Sequence, residues 1–202
     1  MNATDTPARE RILAAALEEF ATRGYEASST NAIATRAGVA KGLVFHYFQN
    51  KERLFIGLFD HEIERLSQGV FNFGEPMSPD LFTRLHQLTV RKLQLAHEHP
   101  LAVEFLLVAL TEAPQSLRAE LSLKQAALLQ KSWPRFLEGI DATGLRPGLS
   151  LTDAIETLTA LSEGLEKRLT LLLKTKQATL EQVTELAWKH IARLRDGLSV
   201  KG

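Results

Sequence analysis

Between Ser29 and Lys51 the chain gathers side chains whose types and spacing suit contacts to phosphates and base edges. Lys41 and Lys51 bring ammonium groups, His46 a ring able to meet a base edge or a phosphate, and Tyr47 a hydroxyl able to reach a phosphate. Ser29 and Thr30 place hydroxyls at the start of a helical pattern. Leu43 offers apolar surface to a thymine methyl, and Gly42 leaves room for another surface to approach. From Arg36 to Arg53 there are four cations and one acid, in a chain that otherwise balances 24 Lys and Arg against 24 Asp and Glu. Net charge is therefore zero and no global basic field exists, so the positive character is local to this stretch.

Two short helices joined by a glycine turn would position these groups. Ser28 or Ser29 can cap the first, which carries Ile33, Ala34 and Ala37 on one face. Gly38 ends it, because a left-handed residue stops a helix sharply and glycine adopts that conformation without a Cβ clash. The second helix turns Val44, Tyr47 and Phe48 inward behind Val39, and leaves Lys41, Gly42, Phe45 and His46 largely elsewhere. Small Ala34 and Ala37 allow close crossing, which is the pattern of a helix-turn-helix. Lys51 follows the expected N-cap Asn50, so a cation opposes the dipole of the next helix. An anion docked on that helix start would remove the conflict.

The run Ile33-Ala34, Ala37-Gly38-Val39, Lys41-Gly42, His46-Tyr47-Phe48 and Lys51-Glu52 resembles the N-terminal DNA-binding segment of TetR-type (TetR/AcrR) transcriptional regulators. About a dozen positions agree in register over roughly fifty residues, more than a lone short motif offers. Where that family often has threonine and tyrosine, this chain has Leu43 and Phe45. Two hydroxyls are thereby lost, so neither residue is credited with a polar contact.

With 202 residues, 45% of them hydrophobic, the chain can build one domain or two small ones with real cores. It has no cysteine, which excludes disulfides, thiol sensing and cysteine metal clusters. His97 and His99 diverge by roughly 200 degrees on a helix and lack zinc spacing, so no metal site and no cofactor is expected. No phosphate loop, nucleophile elbow or carboxylate pair stands out, and no enzymatic activity is expected. The N-terminus lacks a basic region with an apolar core, and no run is long enough to span a bilayer. A cytoplasmic protein without a membrane partner is expected.

No strand alternation or repeat period appears, and an all-α fold of about nine helices is expected. A helix opens at Thr6-Pro7 and stops at Gly24, with Ile12, Leu13, Ala16, Leu17 and Phe20 inward and Ala15, Glu18 and Glu19 outward. Another runs from Lys51 to about Phe73, ahead of a turn cluster from Gly74 to Pro79. Helices follow from Asp80 to His97, from Pro100, and from Pro114 to Phe136 with a kink or break at Pro134. After a loop from Gly139 to Ser150, two strong helices close the chain.

The resemblance implies a three-helix DNA-binding domain over residues 1–54 and a helical effector-binding and dimerisation domain over 55–202. It implies a homodimer in which the closing helices of two subunits form a four-helix bundle, with Leu158, Leu161, Leu165, Val183, Ala187, Ile191 and Leu194 as contacts. It also implies a small-molecule effector among the central helices, for which Phe82, Phe105, Val108, Leu129, Trp133 and Phe136 are candidate lining residues and His86, Glu104 or Thr111 polar anchors. The expected function is a ligand-responsive repressor of a near-palindromic double-stranded DNA operator. The alternative is an effector-independent DNA-binding architectural or protein-interaction factor.

Overall fold

A computed structural model describes residues 6–71 and 77–198. Among these residues the chain is all helical, with helices α1 (Thr6–Ala27), α2 (Thr30–Ala37), α3 (Lys41–Phe48), α4 (Lys51–Phe71), α5 (Leu81–Glu98), α6 (Pro100–Thr111), α7 (Gln115–Leu137), α8 (Leu151–Lys174) and α9 (Leu180–Leu198). Half of the expected turn cluster, Gly74, Glu75 and Pro76, lies outside the described residues.

Local chemistry sets the helix ends. Ser29 caps α2 by accepting the Asn31 N–H, and Gly38 closes it at φ 62 and ψ 41, where any other residue would carry a Cβ penalty. The Gly38 and Val39 amides donate back to Thr35 and Ala34 across that turn. Asn50 Oδ1 accepts the Arg53 N–H at 2.7 Å and caps α4. Ser150 and Asp153 form a reciprocal capping box at the start of α8, and their hydrogen bonds hold the Asp153 carboxyl below its ordinary pKa.

Gly24 breaks the helical path of α1 at φ 68 and ψ 179, as its expected stop requires, and a short second helical stretch runs on to Ala27. Pro134 does not end α7, which continues to Leu137; proline removes a single N–H donor, and the following turn still forms, as the Glu138 N–H bonded to Pro134 O shows.

Packing sorts the described residues into two compact units, one drawn from residues 6–67 and 99–133, the other from 68–71, 77–98 and 134–198. The division does not follow the 54/55 boundary, because α6 and most of α7 join the first unit. In that unit Ile12, Leu13, Ala16 and Phe20 of α1 meet Ile33 and Ala37 of α2, Val44 and Phe48 of α3, and Leu54, Phe55 and Phe59 of α4. Phe55 stands edge-on to Phe20 at 4.9 Å and to Phe105 at 5.2 Å, which carries α6 into the cluster.

The α1 stripe is wider than expected. Ala15 and Glu19 are buried, not outward-facing, because α2 lies along that side of α1 as well.

The second unit packs α5, α8 and α9 together, with Leu93, Leu169, Val183 and Ala187 as one core cluster. Leu158, Val183, Ala187 and Ile191, expected to meet a second subunit, are buried inside the protomer. These four help to hold the unit together, whereas Leu165 and Leu194 are half-buried and Leu161 is exposed. Periodicity reveals an apolar face, but the face carries no label for its partner.

Candidate nucleic-acid interface

The exposed arc of α3 is formed by Lys41, Gly42, Phe45 and His46, continued by Gln49 just past its end. Val44 and Phe48 face the core, and Leu43 and Tyr47 lie between the two sides, half-buried. Tyr47 packs against the core cluster and stands 5.4 Å from the His46 ring, while Lys41 Nζ lies over the Phe45 ring at 5.6 Å from its centroid. Nothing lies within 4 Å of the position a Gly42 Cβ would take, so the backbone there is open to an approaching surface.

The remaining predicted contacts stand beside this arc. Ser29 is exposed and its hydroxyl is occupied in capping α2; Thr30 is half-buried at the first position of the same helix. Lys51 has a partner inside the fold. Its Nζ donates to Glu26 O at 3.1 Å and sits 4.7 Å from the centroid of the Tyr25 ring. The cation that opposes the α4 dipole thus favours the carbonyl-rich end of α1, a reason for its placement that needs no bound anion. An ammonium has three donors, so this hydrogen bond leaves capacity for a phosphate.

A buried carboxylate organises the head, where a solvated face is expected from its place in the sequence. Glu19 is 1% exposed; its Oε1 accepts the Ser29 N–H at 3.2 Å and its two oxygens lie 3.7 Å from Arg23 and 3.8 Å from Arg36. Arg36 also donates to Glu18 at 2.6 Å. The only local signal was the position of Glu19 four residues after Ala15 and three after Ala16, beside small residues a neighbouring helix can approach. Part of the local positive charge is therefore committed within the head.

The candidate effector residues fall in both units. Phe105, Val108, Leu129 and Trp133 belong to the first, and Phe82, His86 and Phe136 to the second. Phe105 is fully buried in the aromatic cluster and Leu129 is exposed. Of the anchors, Thr111 donates to Leu107 O within its own helix. His86 meets Trp188 edge-on at 4.7 Å, and burial holds its pKa below the ordinary value, which keeps the ring neutral at pH 7. Among the described residues no helix is long and apolar enough to cross a membrane.

A short capped helix, a left-handed glycine turn and a second helix with an open polar face define a helix-turn-helix DNA-binding head on an all-helical body. The sequence model of the family described as "Bacterial regulatory proteins, tetR family" matches residues 12–58. The fatty acid metabolism regulator protein of Bacillus subtilis (strain 168) is 31% identical over 166 residues, covering 81% of this chain and 75% of that one. A TetR-like transcriptional regulator from Rhodococcus sp. RHA1 shares the fold at a TM-score of 0.70 and 19% identity, covering 92% of this chain and 94% of that one. The fatty acid degradation regulator FadR from Bacillus halodurans does so at 0.64 and 19%, covering 90% and 96%. The chain belongs to the TetR family of transcriptional regulators.

Proposed function

We propose that the protein is a ligand-responsive repressor that binds a near-palindromic operator as a homodimer. The observation that carries the reading is the α3 face, where Lys41, Gly42 and His46 stand exposed on a helix anchored from behind by Val44 and Phe48. That geometry lets the helix enter a major groove while its buried side stays packed. The regulated genes belong to fatty acid metabolism, a reading supported by the similarity to the fatty acid metabolism regulator protein of Bacillus subtilis. The effector is a small molecule held in the body, and the protein acts as a cytoplasmic binding protein with no catalytic step. Selection of an operator from random duplexes tests the reading: recovery of paired half-sites about one helical turn apart is expected. A chain that retains no duplex above background at moderate salt is not such a regulator.

Lys51 is assigned two roles, tying down the end of α1 and touching a phosphate. Lys51→Ala is expected to weaken binding to all duplexes and to lower the slope of log affinity against log salt by about 0.9. An unchanged slope with reduced thermal stability leaves Lys51 with its internal role alone.

The dimer contact is assigned to the side of α8 that the protomer leaves uncovered. Leu161 is 49% and Leu171 59% exposed, and no atom lies within 4 Å of a Cβ built on Gly164 between them. Their spacing of three and seven residues keeps all three on one face, and Gly164 permits close helix approach. Leu161→Glu is expected to raise the dimer dissociation constant more than about a hundredfold, since two-fold symmetry buries the carboxylate twice. Sedimentation of an unperturbed dimer by that variant would move the interface elsewhere.

A further inference from the structure

We propose that Phe45 is a specificity-determining residue, reading the 5-methyl group of a thymine in the major groove of each operator half-site. The inference rests on the assignment of α3 as the reading helix and extends it to a residue whose chemistry has no polar component. Phe45 is 39% exposed and has no place in the core cluster or among the apolar residues packed against it, unlike its neighbours Val44, Tyr47 and Phe48. At roughly 100 degrees per residue, Lys41, Gly42, Phe45, His46 and Gln49 cover an arc of about 140 degrees, and Phe45 falls well inside it. It therefore faces whatever the helix faces. Leu43, the other apolar candidate, diverges from it by roughly 200 degrees and is half-buried, so the two cannot both point at the bases.

A phenyl ring has no donor or acceptor with which to meet a phosphate or a base edge. The one apolar feature that the major groove presents is the thymine methyl. Lys41 Nζ above the ring, at 5.6 Å from its centroid, limits the ring's orientations and sets a cation beside it. The open backbone at Gly42, one turn earlier on the same arc, lets the ring approach the base without a neighbouring side chain in the way. Positioning by charge and reading by an apolar ring are thus combined on one helical turn.

The test replaces each thymine of the selected operator in turn with deoxyuridine, which removes only the methyl. For the unaltered protein, one position per half-site is expected to lose about fourfold in affinity, the worth of burying one methyl. Phe45→Ala is expected to bind the operator more weakly and to be indifferent to that replacement, with Phe45→Leu intermediate; circular dichroism confirms that both fold. The proposal is overturned if no position responds in the unaltered protein. It is equally overturned if the response persists in Phe45→Ala, and loss of the response in Leu43→Ala would then assign it to Leu43. A protein that binds no duplex at all fails at the earlier step and removes the regulatory reading with it.

Discussion

Arg84→Met is expected to destabilise the unit formed by α5, α8 and α9 by about 3 kcal/mol, seen as a lower urea midpoint at an unchanged slope. Arg84 is 2% exposed, and its guanidinium donates to Ser78 O at 2.6 Å, Phe136 O at 2.6 Å and Glu138 O at 2.7 Å. The last two are carbonyls at the end of α7, where the helix dipole is negative and the orphan acceptors of a helix terminus need donors. Burial draws the Arg84 pKa down from its ordinary value, but that value is so high that the group stays charged. Methionine restores volume and returns none of the donors, so three carbonyls are left short at about 1 kcal/mol each. Arg84→Lys keeps the charge and loses the planar fork, and should fall between. A methionine variant as stable as the parent would show that water replaces the guanidinium without loss.

The second large effect is expected at Glu19. Glu19→Ala should cost about 2 kcal/mol and reduce operator binding more than binding to unrelated duplexes. Two magnitudes compete. Breaking a buried ion pair costs about 3–5 kcal/mol when the remaining charge stays buried. Here the partners Arg23 and Arg36 are 62% and 45% exposed and return to water, so the lower figure, set by one charge-assisted hydrogen bond to Ser29, applies. The effect on recognition follows from position: Glu19 holds the N-cap of α2, and α2 in turn carries α3. Glu19→Gln retains an acceptor and should recover most of the stability. Equal losses on operator and unrelated DNA would show that the carboxylate supports the head without aiming it. Lys51→Ala is the contrasting case, expected to weaken all duplexes alike.

The family, the all-helical class and the helix-turn-helix were legible in the sequence because each depends on residues a few positions apart. Gly38 ends α2 through its own backbone freedom, Ser29 and Asn50 cap helices within three residues, and Val44 with Phe48 marks the buried side of α3 one turn apart. Such signals survive without knowledge of the rest of the chain.

Tertiary structure alone decided which surface each stripe meets. Val183, Ala187 and Ile191 carry the same periodicity whether they face α5 or a second subunit, and only packing across some ninety residues of chain shows that they face inward. Glu19 reads as a solvated acid until α2 is laid over it, and Lys51 reads as a vacant cation until the end of α1 arrives at its ammonium. Phe45 reads as another apolar residue until the core closes without it. Hydrogen bonding and backbone sterics act within a turn and are written locally, whereas burial is a property of the assembled chain.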